Sequence, residues 1–200
     1  MQTQTRFIHF PFILSWTFAN LLAGFISGFL ESNGFQFAAT LIFAGAIASS
    51  LQWWVLRPRL HAIGWWPLAS TVGWISGSLM VASGYNIYHP IVEFLWSHLG
   101  LWEVFWLSIV TAPVPFAGMA IAQSMILRQH HQISGPSIRL WILGSAIAGS
   151  VYGGVSASLC FAFCDPLPTS LVGLVTGGGW AVYGLITSGI LPKIIRSGDG

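Results

Sequence analysis

The sequence predicts an all-α integral membrane protein: six transmembrane helices in three tandem helical hairpins, N-in/C-in, with a short in-plane helix on the outer face. Three observations lead there. Only 6% of the 200 residues are charged, while 54% are apolar and the mean hydropathy is +0.74. Six stretches are each long enough and apolar enough to cross the hydrocarbon core, which takes about 20 residues. The cations then fall on one side of the resulting topology. A soluble domain carries roughly 25% charged residues. So sparse a charge cannot cover a water-exposed surface, which excludes a soluble enzyme, a nucleic-acid binder and a disordered tail.

The six expected spans cover about 12–30, 35–56, 65–82, 103–127, 140–163 and 169–191. They make one transmembrane domain over 1–200, with hairpin units at about 10–57, 65–128 and 138–192. The apolar runs are continuous rather than alternating, which excludes a strand barrel. Pro11, Pro67, Pro136, Pro166, Pro168 and Pro192 lie at or near the expected ends, where a missing N–H costs little. Ser32-Asn33-Gly34 reads as a tight turn between the first two spans. The first span is too long for a signal peptide and no A-x-A-like site follows it, so it is read as a retained helix.

Alternate connections of a six-span chain fall on alternate sides. One side receives Arg6, Arg57, Arg59, Arg128, Arg139, Lys193 and Arg196, which are all seven cations. The other receives Glu31, Glu93, Glu103 and Asp165, four of the five acids. Chance alone would put seven cations on one side about one time in 64, and the positive-inside rule then makes both termini cytoplasmic. A bacterial plasma or thylakoid membrane is the expected location. Trp53, Trp54, Trp65, Trp66 and Trp141 fall at the cytoplasmic level, and Trp96, Trp102 and Trp106 at the outer one, as interfacial indoles do. Trp74 and Trp180 fall nearer mid-span and are expected to face the bundle.

Odd spans carry glycines four apart, at Gly24 and Gly28, Gly73 and Gly77, and Gly149 and Gly153, a spacing that lets helix backbones approach closely in lipid. Even spans two and four end in Q-x3-L-R, at Gln52 to Arg57 and Gln123 to Arg128. The glycine-rich sixth span lacks that ending, so the third hairpin reads as a degenerate copy about an axis along the membrane normal. Gly24 and Gln52 are 28 positions apart and Gly73 and Gln123 are 50 apart, so the middle hairpin carries 22 more residues. Within them, Pro90 to Gly100 suits a short in-plane helix. Ile91, Val92, Leu95, Trp96 and Leu99 fall on one side of it and Glu93 and Ser97 on the other.

Gln52, Arg57, Gln123 and Arg128 form a candidate polar pocket at the cytoplasmic face, suited to a lipid phosphate, a pigment tail or a partner carboxylate. The plain alternative is that each Arg offsets the negative end of its helix and snorkels, while each Gln bonds across helices. His130 and His131 follow Arg128 and are read as part of a solvated loop, the alternative being added positive charge at the pocket in acid. Asn20 lies in the middle of span one, where it needs a partner helix or marks a solute path. Pro113 and Pro115 fall in the middle of span four and must kink or break it. Cys160 and Cys164, one turn apart at an outer end, read better as two small apolar residues than as a bridge.

Absences narrow the chemistry. No span holds a deep Asp, Glu, Lys or Arg, which argues against a proton-coupled pump or a charged ion pathway. No His lies mid-span, no zinc spacing and no phosphate loop occurs, and no serine has a recognisable base beside it. No metal, no cofactor and no catalytic residue is therefore expected. The two Q-x3-L-R endings, followed by Trp65-Trp66 and by Trp141, resemble a group of uncharacterised multi-spanning bacterial membrane proteins of cyanobacterial type. That resemblance covers about 44–77 and 117–153 and implies topology alone. The expected function is a non-catalytic membrane component, an accessory subunit or assembly factor of a larger complex. The alternative is a permease or channel for a small neutral or apolar solute, and an enzyme is the least supported reading. Expected partners are membrane lipids and other membrane-protein subunits, with no nucleic acid.

Overall fold

A computed structural model describes residues 9–60, 62–131 and 135–196, and the described residues contain helices and no strand. Helix α1 spans His9–Leu30. Its carbonyl end is capped by Ser32 Oγ, donating to Gly28 O at 2.8 Å, and by Asn33 Nδ2, donating to Phe29 O at 2.7 Å. The chain then turns back through Asn33 and Gly34, and the φ of +96° at Gly34 is open to glycine at little cost. Helix α2 covers 36–56, with a π-helical stretch at Ala39–Phe43. The remaining helices are α3 Trp66–Ser83, α4 Tyr85–Leu99, α5 Glu103–Thr111, α6 Pro113–His131, α7 Gly135–Phe163 and α8 Thr169–Arg196.

Contacts run α1 to α2, α2 to α3, α3 to α6, α6 to α7, α7 to α8, and α8 back to α1, which closes a ring in chain order. Helices α5 and α6 stack end to end as one traverse, with α5 against α7. One hydrophobic cluster gathers Phe12, Leu56, Leu60, Trp66, Leu127, Ile138 and Leu191, so the start of α1, the ends of α2, α6 and α8, and the starts of α3 and α7 lie at the same end. Arg57, Arg59, Arg128, Arg139 and Lys193 follow or flank these residues, so this is the basic end of the bundle. Glu31, Glu93, Glu103 and Asp165 belong to the connections at the opposite, acidic end. Arg6 lies outside the described residues.

Four helical runs are long and apolar enough to cross a membrane: Phe10–Leu56, Glu103–Gln129, Gly135–Phe163 and Thr169–Ile195. The first is the pair α1 and α2, doubled back at Gly34. Helix α3 has 18 residues and is diluted by Pro67, Ser70, Thr71, Ser76, Ser78 and Ser83. The surface shows the sorting expected in lipid. Leu14, Phe18, Leu68, Val72, Leu79, Leu143, Ile147, Leu174 and Leu185 point outward, while Asn20, Ser49, Gln52, Ser70, Gln123, Ser145 and Thr187 are fully buried. Water would favour the reverse arrangement.

Several expected boundaries move. The in-plane segment forms a helix, but α4 begins at Tyr85 rather than Pro90, so Pro90 lies inside it. Only Val92 is fully buried, and Ile87, Ile91 and Phe94 share an uncovered sector. At 100° per residue that sector is separate from the flank formed by Asn86, Glu93 and Ser97. Pro192 does not end the last helix, which continues to Arg196. Pro113 and Pro115 do break span four, at Ala112 between α5 and α6. Cys160 and Cys164 are joined as a disulfide, against the sequence reading. Helix α7 ends at Phe163, and the last turn brings the two Cα atoms within 4.6 Å, inside the range a disulfide spans.

Candidate functional site

The interior is organised in layers that the sequence repeat only half discloses. Next to the basic end, Leu56, Leu127 and Leu191 form one fully buried layer, each at the same turn of an even traverse. Four residues earlier on the same helices stand Gln52, Gln123 and Thr187, also fully buried. On the odd helices, Trp16, Trp66 and Trp141 are fully buried, and four residues later come Asn20, Ser70 and Ser145, fully buried as well. Each odd helix thus carries Trp-x3-polar and each even one polar-x3-Leu. The third copy is present after all, written T-x3-L on α8.

These polar groups form one chain of hydrogen bonds. Trp141 Nε1 donates to Gln123 Oε1 at 3.2 Å. Gln123 Nε2 donates to Gln52 Oε1 at 3.2 Å and to Ser70 Oγ at 3.1 Å. Gln52 Nε2 donates to Asn20 Oδ1 at 3.0 Å, and Asn20 Nδ2 to Trp16 O at 2.8 Å. Trp16 Nε1 donates to Thr187 Oγ1 at 2.9 Å, and Thr187 Oγ1 to Tyr183 O at 2.8 Å. The direction is forced. An indole N–H can only donate and a backbone carbonyl can only accept, so the amides between them must all point the same way. The chain ties α7, α6, α3, α2, α1 and α8 together, which are all the traverses of the ring.

Two members of the Trp-x3-polar pairs stand outside it. Trp66 Nε1 and Ser145 Oγ have no hydrogen-bond partner. Threefold repetition accounts for both. Each Trp donates to the polar residue of the preceding even helix, as Trp141 does to Gln123 and Trp16 to Thr187. Each Gln donates to the odd helix of its own hairpin, as Gln123 does to Ser70 and Gln52 to Asn20. The two bonds missing from the set of six are Trp66 to Gln52 and Thr187 to Ser145.

The layer toward the acidic end is aromatic. Trp74, Phe116, Trp180 and Tyr183 are buried. Phe116 lies 5.2 Å from Trp74, 5.0 Å from Trp180 and 4.2 Å from Tyr183 between ring centroids. At each junction between an even helix and the next odd one, an aromatic ring lies against a glycine: Trp180 on Gly24, Trp74 on Gly45 and Phe116 on Gly149. In the middle junction the two partners have exchanged helices. The Trp74 N–H is satisfied at Thr40 O, 2.9 Å away, in the π-helical stretch where a carbonyl is freed.

The expected sites fare unequally. Gln52, Gln123 and Asn20 come together, but not with Arg57 and Arg128. Those two guanidinium groups are exposed, separated from the amides by the Leu56 and Leu127 layer. Arg57 lies over the Trp53 ring at 5.3 Å. Of the four residues of the expected polar pocket, Arg57 and Arg128 are thus surface cations and Gln52 and Gln123 core amides, because one helical turn divides them and Leu fills it. The side chains of His130 and His131 lie outside the described residues. Pro115 presses on Gly77, where an added Cβ would fall 2.5 Å from Pro115 Cα. The break in span four thus seats backbone on backbone, and Phe116 fills the interior beside it.

The glycine pairs also divide. Gly28 meets Gly173 and Thr176 of α8, the preceding even helix, and Gly153 meets Ser108 of α5. Gly73 and Gly77 instead meet Gly118, Val114 and Pro115 of α6 in their own hairpin. From the buried Trp to the first glycine is eight positions in the outer hairpins and seven in the middle one. One position rotates the face by 100°. Beyond the bundle interior, an apolar groove of about 580 Å³ runs between α3 and α6, floored by Gly73, Gly77 and Gly118. No group of His, Cys, Asp or Glu able to hold a metal occurs among the described residues. Compared with protein-family models, curated proteins and solved structures, the chain matches none of them.

Proposed function

We propose that this protein is a non-catalytic integral membrane component, an accessory subunit or assembly factor of a larger membrane complex, crossing the membrane six times with both termini cytoplasmic. The contrast between interior and exterior carries the reading. A solute path needs polar groups along a passage, whereas here the amides bond to one another and both flanking layers are filled, by leucine on one side and aromatic rings on the other. What the molecule leaves uncovered is on the outside: Ile87, Ile91 and Phe94 of α4, and the groove between α3 and α6. The disulfide at the acidic end supports the orientation, since such bonds persist in oxidising compartments. The lopsided cations support it independently.

Purification in a mild detergent tests the reading. A photo-reactive residue at Phe94 should give a discrete cross-linked partner, and the protein should migrate with a larger assembly. A lone particle with no adduct from Phe94, or solute flux through liposomes that contain only this chain, would count against it.

A further inference from the structure

The third hairpin has a threonine where the other two have glutamine, so the layer is short of one carboxamide and of the hydrogen bonds it would make. Gln123 reaches Ser70 Oγ at 3.1 Å, and Gln52 reaches Asn20 Oδ1 at 3.0 Å. Thr187 is too short for the corresponding reach and turns its hydroxyl back to Tyr183 O at 2.8 Å. Ser145, the residue it would have met, keeps a fully buried Oγ with no partner, and so does the fully buried Tyr183 OH. Ser145 and Tyr183 are neighbours, and neither hydroxyl meets hydrogen-bond geometry with any group. Two adjacent unpaired hydroxyls in a low-dielectric interior are costly, and a bridging molecule removes that cost for both.

We propose that a single buried water occupies this position, bound by Ser145 Oγ and Tyr183 OH, with the remaining lone pair of Thr187 Oγ1 as a third partner. Two to four polar partners are what a buried water requires. Water suits the site better than a larger guest, because the missing group is one carboxamide and the neighbours Phe116 and Trp180 pack directly on Tyr183. No charge lies nearby to call for an ion. The inference concerns the interior alone and stands whether or not the protein has a partner in the membrane.

The experiment is a density map at about 2 Å of the wild type and of Thr187→Gln, with thermal unfolding of both in one detergent. The expected wild-type map shows one ordered water bonded to Ser145 Oγ and Tyr183 OH. The expected variant map shows the introduced carboxamide in its place, with a midpoint higher by about 2–5 °C. Adding Ser145→Ala should cancel that rise. Direct bonding of the two hydroxyls in the wild-type map, or a water unmoved by Thr187→Gln, overturns the proposal. Should Thr187→Gln fail to fold, Tyr183→Phe replaces it. Loss of the water on removing that hydroxyl supports the site, and its retention overturns it.

Discussion

Replacing each buried tryptophan in turn by phenylalanine separates hydrogen bonding from packing. Trp16, Trp66 and Trp141 are all fully buried, so the loss of volume is common to the three. A phenyl ring is about 40 Å³ smaller than an indole, and at ~24 cal/mol per Å³ the resulting void costs about 1 kcal/mol. The bonds differ. Trp141→Phe removes a donor from Gln123 Oε1 and leaves that oxygen unpaired. Trp16→Phe removes a bond to Thr187, whose hydroxyl keeps its own acceptor. Trp66→Phe removes an N–H that had no partner. A hydrogen bond between transmembrane helices is worth about 0.6 kcal/mol and at most about 1.7, and an abandoned buried acceptor adds to that. Trp141→Phe should therefore be less stable than Trp66→Phe by about 1–2 kcal/mol, or about 2–8 °C in midpoint at about 2–4 °C per kcal/mol. Trp16→Phe should fall between. Reversible unfolding in mixed micelles, with the three variants side by side, measures the order. Equal losses for Trp66→Phe and Trp141→Phe would show that the amide chain contributes nothing the static geometry assigns to it.

Gln123→Leu deletes bonds to Gln52, Ser70 and Trp141 at once. It should lower stability by about 2–5 kcal/mol in the same assay, the largest effect among the core amides. Gly77→Ala puts a Cβ 2.5 Å from Pro115 Cα and should cost about 1–3 kcal/mol. Gly189→Ala meets nothing within 4 Å and should be neutral or stabilising by up to about 1 kcal/mol, judged by thermal midpoint. The native cysteines are bonded to each other, so cysteines introduced at 57, 128 and 93 can be labelled on that background. An impermeant maleimide applied to intact cells should label position 93 and spare 57 and 128. Labelling of 57 and 128 on opposite faces would contradict the six-span reading.

The helical hairpins were legible because lipid imposes a length and a composition on every crossing helix, and glycine and proline mark the ends. Two features lie beyond what sequence spacing shows. Gln52 and Arg57 look adjacent in a motif, yet five positions place them on different levels of a helix, with Leu56 filling the turn between. Gly73 and Gly77 look equivalent to Gly24 and Gly28, yet a one-position offset from the buried tryptophan turns them to another neighbour. The real threefold relation is carried by Trp16, Trp66 and Trp141, followed by Asn20, Ser70 and Ser145. That signal was available in the sequence, since each polar residue stands four after a tryptophan. It was masked because Trp65 stands beside Trp66, and because Trp74 and Gly45 exchange the roles that Gly24 and Trp180 take elsewhere. Thr187 was unreadable as the third glutamine until its burial placed it in the same layer.

The amide chain has a further consequence for how the ring is held in register. Helices in lipid gain nothing from hiding apolar surface against one another, so sliding one along its neighbour is opposed only by packing and by specific bonds. Consider α6 displaced by one turn. Either Leu127 or Met119 then takes the level of Gln123, and Trp141 Nε1, Gln52 Oε1 and Ser70 Oγ all lose their partner together. At about 1–3 kcal/mol for each buried group left unsatisfied, the slip costs about 3–9 kcal/mol, comparable to the whole stability of a typical domain. A slip of α3 breaks fewer bonds of this layer, because Trp66 contributes none to it and Ser70 only one. Within this layer α3 is thus the least determined helix, and bonds outside the layer fix it to α2: Ser49 to Pro67 O at 3.0 Å and to Thr71 at 3.2 Å, and Trp74 Nε1 to Thr40 O at 2.9 Å. Ser49→Ala combined with Ser70→Ala should therefore loosen α3 alone. Hydrogen exchange should rise across Trp66–Ser83 while α6 and α7 stay protected, and uniform deprotection of the bundle would refute the assignment of register to this layer.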